Sequence, residues 1–181
     1  MATNYTLTHN VSTIIASKEF VESCEILKNL LEDTGDNNDN NIIPIINDFT
    51  EEEFKMYIKF FENMSNLKVE TKAGNIVSYL DYISNFREEY IENYTNKNLD
   101  PPHTNEVYKI FTNLGDQNVK KLIELDVYYN NPKIIKGIML CIAISIRKLD
   151  APKEDDETEE EFKERKNKSQ SYIKAIMDCV A

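Results

Sequence analysis

The sequence predicts an α+β fold in which a small three-stranded sheet is flanked by a cluster of helices. Segments with strand patterns occur only before residue 47, and amphipathic helical patterns fill most of the remaining chain. The stretch from Gly115 to Lys148 is the most apolar part and is split once by a turn. Strands followed by a run of helices are typical of this fold class.

The predicted sheet begins with a hairpin. Apolar and polar residues alternate from Tyr5 to Thr8, and a second short strand fits Val11 to Ile15. A third strand is predicted from Ile42 to Ile46, because this run is short, apolar and rich in β-branched residues.

Helices are predicted wherever apolar residues recur every three or four positions. Ser17 caps the first helix, which runs from Lys18 to about Asp33 and is closed by Gly35. Thr50 and Glu53 form a capping box at the start of the second. The second helix is expected to end near Asn63, and two more are expected from Asn75 to Ile91 and from about Asn105 to Asn113.

The stretch from Gly115 to Lys148 predicts two helices joined by a sharp turn at Asn130-Asn131-Pro132. The first is amphipathic, with an apolar face of Val119, Leu122, Ile123 and Val127. The second is so rich in isoleucine that it is expected to be buried nearly all round.

A polar connector from Leu149 to Glu157 leads to a last helix capped by Thr158 and Glu161. Because a nearly all-charged stretch separates its apolar residues, this helix is expected to dock loosely, and either to project into solvent or to wait for a partner. Its apolar side chains are Phe162, Tyr172, Ile173, Ile176 and Met177.

Charge argues against two classes of partner. The formal net charge is -11, from 32 acidic and 21 basic residues, which repels nucleic-acid phosphates and anionic lipid. No run of apolar residues is long enough to span a membrane, and the N-terminus lacks the features of a signal peptide. We therefore expect no nucleic acid and no membrane partner, and a location in the cytoplasm, the nucleus or both.

No catalytic or cofactor-binding constellation is found. Glycine-rich phosphate loops are absent, and His9 and His103 lie in predicted turns without a metal-ligand spacing. The three cysteines lack a C-x-x-C spacing, which favours buried free thiols in a reducing compartment. The acidic triplets begin helices, where negative charge is favourable without any catalytic role. The sequence predicts neither an enzyme nor a bound cofactor or metal.

Three segments resemble a known family. Ile26 to Gly35 is similar to a K-x-M-L-E-D-x-G helix end, and Ile43 to Asn47 is similar to a P-L-P-N-V strand. Leu122 to Ile146 aligns without gaps on an L-I-L-A-A-N-Y-L-D-I-K-G-L-L segment and the helix beyond it. All three patterns are those of the Skp family, the adaptor subunit of SCF-type ubiquitin ligases, so the chain resembles this family, whose members have the BTB/POZ fold.

The resemblance implies a BTB/POZ-like domain over residues 1–148, with an inserted helix at about 72–100, followed by a connector and C-terminal helix over 149–181. It implies a non-catalytic adaptor that bridges a cullin-like scaffold and an F-box-like helical segment. The implied cullin-like surface contains Asn47, Val127, Tyr128 and Asn130. The implied F-box-like surface contains Phe162, Tyr172, Ile173 and Ile176.

Departures from the family pattern leave an alternative open. Val127 replaces an asparagine of the family's cullin surface, and the chain has no tryptophan to match the family's C-terminal tail. The alternative is a self-associating BTB scaffold or structural protein, hence a homo-oligomer, that has lost the adaptor surfaces. The asparagine-, isoleucine- and lysine-rich composition suggests an AT-rich genome such as that of a protist or large virus, and a viral protein would act in the host cytoplasm.

Overall fold

The computed structural model describes residues 4–9, 12–34, 42–45, 48–71, 73–85 and 103–180. Within these residues the fold is mixed, with two small sheets and eight helices. The strands are β1 Asn4–His9, β2 Ser12–Ser17, β3 Ile42–Ile45, β4 Lys68–Glu70 and β5 Ile76–Ser78. The helices are α1 Lys18–Ser23, α2 Glu25–Thr34, α3 Glu51–Asn66, α4 Tyr79–Asn85, α5 Thr104–Thr112, α6 Asp116–Tyr129, α7 Pro132–Asp150 and α8 Glu159–Val180.

The predicted hairpin and third strand are confirmed as one sheet with the order β2-β1-β3. β1 pairs antiparallel with β2 and parallel with β3, so that Leu7 lies opposite both Ile14 and Ile43. All three side chains are buried. The prediction that His9 lies in a turn is wrong, because this residue is the last of β1 and pairs with Ser12. β2 returns the chain to the end of the sheet where β1 begins, and α1 and α2 lie in the connection from β2 to β3.

The single helix predicted from Lys18 to Asp33 is wrong, because the helix breaks at Cys24. The Ser17 hydroxyl accepts a hydrogen bond from the Phe20 N–H at 3.3 Å, which confirms the predicted cap. Cys24 is extended (φ -91°, ψ 113°), and the Glu25 N–H donates to the carbonyl of Asn130 at 3.3 Å. A contact with a residue distant in sequence therefore replaces a turn of helix.

The capping box of α3 is confirmed by both of its hydrogen bonds. The Thr50 N–H donates to the Glu53 carboxylate at 2.8 Å, and the Glu53 N–H donates to the Thr50 hydroxyl at 3.2 Å. The helix ends at Asn66 rather than near Asn63, because its last turn still buries Met64 and Ser65.

The helix predicted from Asn75 is wrong at its start. Ile76–Ser78 is a strand paired antiparallel with β4, and Gly74 (φ +78°) supplies the left-handed turn between them. The helix begins only at Tyr79, where the Ser78 hydroxyl accepts the Asp81 N–H at 3.1 Å. The part of the predicted inserted helix beyond Asn85 lies outside the described residues.

The remaining helices follow the prediction closely. α5 lies where the short helix is expected, and α6 and α7 form the predicted pair around the Asn130-Asn131-Pro132 turn. Two expectations are wrong: α7 is not buried all round, since Met139 is 61% exposed, and α8 does not project into solvent but packs against both α6 and α7. The capping box at Thr158 and Glu161 is confirmed, with the Glu161 N–H donating to the Thr158 hydroxyl at 3.2 Å.

Aromatic side chains join the sheet-proximal helices into one core. Phe20 of α1 is fully buried and makes edge-to-face contacts with Phe54, Tyr57 and Phe61 of α3, at centroid distances of 6.1, 5.5 and 5.3 Å. Tyr129, at the end of α6, contacts Phe54 at 5.1 Å. This core fixes the last turn of α6 relative to α1 and α3.

Candidate protein-interaction surface

The last turn of α6 carries two exposed apolar or aromatic side chains, Val127 and Tyr128, whose exposed fractions are 72% and 45%. The prediction that Val127 belongs to the buried face is wrong, because Leu125, Asp126 and Tyr129 are the buried residues of this turn. Asn130 follows in the left-handed conformation (φ 50°), and its backbone N–H donates to the Asp126 carbonyl at 2.8 Å. We call Val127, Tyr128 and Asn130 the partner turn.

The Tyr128 side chain packs against two other aromatic rings and is not isolated in solvent. Its ring packs edge-on against Phe49 at a centroid distance of 5.8 Å and against Tyr129 at 5.0 Å. The ammonium group of Lys121 lies 6.0 Å from the centre of the Phe49 ring. The tyrosine therefore presents a part-exposed ring on an ordered aromatic base, a type of side chain enriched at protein interfaces.

Asn131 fastens the partner turn to the break between α1 and α2. It is 1% exposed, and its amide nitrogen donates to the Ser23 hydroxyl at 2.8 Å and to the Cys24 sulfur at 3.3 Å. Its carbonyl oxygen accepts the N–H groups of Lys133 and Ile134 at 3.0 and 3.2 Å, which caps α7. One side chain thus connects two helix ends that are distant in sequence.

A second connection runs through Asn130 itself. Its side-chain amide donates to the Glu25 carboxylate, and its backbone carbonyl accepts the Glu25 N–H. The first residue of α2 therefore contacts the partner turn through both backbone and side chain. These two contacts attach Asn130 to the start of α2.

A small buried polar cluster lies beneath the turn. The Tyr57 hydroxyl donates to the Asp126 carboxylate at 3.0 Å, and Asp126 is 3% exposed. Burial raises the pKa of Asp126 to about 7, although the Tyr57 hydrogen bond opposes this shift. Burial also raises the pKa of the Cys24 thiol to about 12, so this thiol is protonated at neutral pH and is a poor nucleophile.

The second predicted surface, on α8, is only partly accessible. Phe162 and Ile173 are each half-buried, and α8 packs against α6 and α7. The Phe162 ring also lies under two cations, with the Arg165 guanidinium at 5.1 Å and the Lys166 ammonium at 4.7 Å. Tyr172 and Ile176 lie within α8, but their side chains are outside the described part.

The structure thus brings Val127, Tyr128 and Asn130 together at one end of α6, whereas Asn47 lies outside the described residues. Sequence reasoning missed Phe49, Glu25 and the fastening role of Asn131. Asn131 had a local signal, since it precedes a proline at a helix start. No local sequence signal indicated its contacts with Ser23 and Cys24, because these residues are more than a hundred positions away in the sequence.

Two features are absent from the described residues. None of their helices is both long and apolar enough to cross a membrane. Their histidine, cysteine, aspartate and glutamate side chains form no group of three or more that could hold a metal ion. Comparisons of the whole chain with protein-family models, with curated proteins and with solved structures found no match.

Proposed function

We propose that this chain is a non-catalytic adaptor that binds a partner protein through the partner turn. The observation that carries the proposal is the exposure of Val127 and Tyr128 on a turn that Asn131 and Glu25 hold in place. A preorganised surface loses less conformational entropy on binding than a mobile one, so more of the contact energy remains as affinity. A central aromatic residue is the usual anchor of such a contact.

The resemblance to the Skp family supports a more specific version of the adaptor. In it, the partner turn contacts a cullin-like scaffold, and the exposed parts of Phe162 and Ile173 on α8 contact an F-box-like helical segment. A helical partner would lay apolar side chains along α8 at three- and four-residue steps. The adaptor would then act in the cytoplasm or nucleus, as a link between a scaffold and a substrate receptor.

Replacing Tyr128 tests the partner turn. We expect Tyr128→Glu to abolish capture of the cullin-like partner from the source cells, because it places a charge at the centre of the interface. Tyr128→Phe is the matched control and should retain capture, since the aromatic contact with Phe49 is kept. Circular dichroism and a cooperative thermal transition should show that both variants are folded.

Two results would count against the adaptor. If Tyr128→Glu captured the partner as well as the original chain does, the interface would lie elsewhere. If the captured proteins included neither a cullin nor an F-box protein, the ubiquitin-ligase version of the proposal would be wrong.

A second candidate function is self-association, and the edge strand β2 favours it. Among the described strands β2 pairs only with β1, and its sequence STIIAS contains no charge and no proline. Ile15 on this strand is 57% exposed. Uncharged edge strands readily pair with a second copy, because their outer backbone groups lack partners.

Light scattering after size exclusion tests this second candidate. A self-associating chain should be a dimer or larger closed oligomer, and Ile15→Lys should convert it to a monomer, because a lysine on an edge strand opposes pairing. Thr13→Lys, on the same exposed side of β2, should act similarly. A strict monomer at all concentrations would rule the candidate out.

A further inference from the structure

A groove separate from the partner turn lies between α3 and the segment that joins α5 to α6. Its volume is about 540 Å³. The floor is apolar and consists of Met56 and Phe60 from α3 and Ile110 and Leu114 from the opposite wall. Phe60 is 1% exposed, whereas the other three are only partly buried against the core. Apolar surface is therefore left open to solvent along the groove.

Lysines border this apolar floor on both sides. Lys55 and Lys59 are one helical turn apart on α3, and Lys109 lies on the wall formed by α5. Glu52 is the acidic residue of the lining. The groove thus has a local excess of positive charge in a chain whose formal net charge is -11.

Two of these lysines are not neutralised by the described part of the chain. Lys55 forms ion pairs with Glu51 and with Glu52, the second at 3.8 Å. Lys59 and Lys109 are both exposed, and neither forms an ion pair with any described residue. Their ammonium groups are available to a ligand on opposite sides of the floor.

We infer that this groove docks an acidic peptide segment of a partner protein, one that carries a large apolar side chain between carboxylates. The apolar side chain contacts Met56, Ile110 and Leu114, and the flanking carboxylates pair with Lys59 and Lys109. Charge complementarity selects this occupant: the rest of the chain is strongly acidic and repels such a segment, so this groove is the favourable place for it.

The groove and the partner turn lie at opposite ends of α6. Asn118 lines the groove in the first turn of α6, and Tyr128 lies in its last turn, about 15 Å away at the usual rise per residue. A chain with both surfaces would hold two partner segments at the same time. The inference does not depend on the proposed function, and a failure of either leaves the other intact.

Fluorescence anisotropy with a labelled synthetic peptide tests the docking directly. The probe is a short peptide in which aspartate–glutamate pairs flank a leucine and a phenylalanine. We expect saturable binding to the full chain that weakens as salt is added, because salt screens the lysine–carboxylate attraction. A peptide with lysines in place of the acidic residues should not bind, and replacing leucine and phenylalanine by serine should weaken binding.

Charge reversal in the groove provides the second measurement. The double variant Lys59→Glu, Lys109→Glu should bind the acidic peptide about tenfold more weakly or worse, since two attractions become repulsions. Lys163→Glu, at an exposed position of α8 away from the groove, is the control and should change affinity by less than about twofold. All three positions are exposed, so thermal unfolding should show that each variant is folded.

Three outcomes would overturn the inference. One is absence of saturable binding by the acidic peptide. Another is equal binding by the original chain and the Lys59→Glu, Lys109→Glu variant. The third is an oligomer of the original chain that this variant converts to a monomer, which would assign the groove to a second copy.

Discussion

At the scale of single residues, the polar side chains that hold the partner turn in place are buried. Asn131 joins the start of α7 to the end of α1, and Asp126 accepts a hydrogen bond from Tyr57 beneath the partner turn. Each is nearly inaccessible to solvent. A buried polar group is tolerated when its hydrogen bonds are made, and removing its hydrogen-bond partner lowers the free energy of unfolding. These residues therefore fix the geometry of a surface that they do not themselves form.

Asp126 should make the stability of the protein depend on pH. Its pKa is about 7 in the folded chain, against an ordinary value of 3.8, because burial disfavours the charged carboxylate. A raised folded-state pKa contributes stability that is complete below about pH 4 and is lost as the pH rises through about 7. Between those values the loss is about 1.4 kcal/mol per pH unit.

Asp126→Asn tests this dependence, because the amide stays neutral while its carbonyl can still accept the Tyr57 hydrogen bond. We expect urea unfolding of the original chain to lose stability relative to the variant between pH 5 and pH 7. The variant should be the more stable of the two at pH 8. Parallel pH profiles for the two proteins would contradict the raised pKa.

At the scale of elements, caps and turns decide where helices begin and end. Thr50 and Thr158 each start a helix through a capping box, and both were recognisable from sequence. Ser78 does the same for α4 with Asp81, but an apparent helical pattern from Asn75 onward concealed it. The pattern was misleading because Ile76 and Val77 pair with β4 instead.

Two serine substitutions near α4 should have opposite consequences. Ser78→Ala should destabilise the protein by about 1 kcal/mol, because it removes the cap from the helix start. Ser84→Ala should cost nothing or stabilise slightly, because the buried Ser84 hydroxyl has no hydrogen-bond partner in the described structure. Chemical denaturation of the two variants compares the effects, and equal losses would show that capping is not the cause.

At the scale of the whole molecule, one aromatic core connects the sheet, the α1–α2 break and the end of α6. Phe20 lies at its centre and contacts three rings of α3. Tyr57 and Tyr129 extend the core to the partner turn, with their ring centroids 6.0 Å apart. The candidate interaction surface thus lies directly against this buried aromatic core.

Removing an aromatic ring should be far more costly in this core than on α8. Phe20→Ala should lower the free energy of unfolding by about 3–5 kcal/mol, since the ring is fully buried. Phe162→Ala removes a half-buried ring and its contacts with Arg165 and Lys166, and should cost about 1 kcal/mol. Denaturant titrations measure both, and a larger loss for Phe162→Ala would place α8 in the main core.

The sequence by itself determined the fold class, the three strands of the main sheet and most helices. It also determined the caps at Ser17, Thr50 and Thr158 and the turn at Asn131. These features depend on alternation, helical periodicity and hydrogen bonds between residues three positions apart or fewer. The partner turn was also predictable as a position, because a proline and two asparagines mark it.

Only the tertiary structure decided the break at Cys24, the strand at Ile76–Ser78, the exposure of Val127 and the packing of α8 against α6 and α7. It alone joined Glu25 to Asn130 and Ser23 to Asn131. It also formed the lysine-bordered groove from α3 and the α5–α6 segment. The physical reason is common to all of them: each depends on contacts between segments distant in sequence, and such contacts override local preference because burial and long-range hydrogen bonds outweigh the small differences in intrinsic propensity.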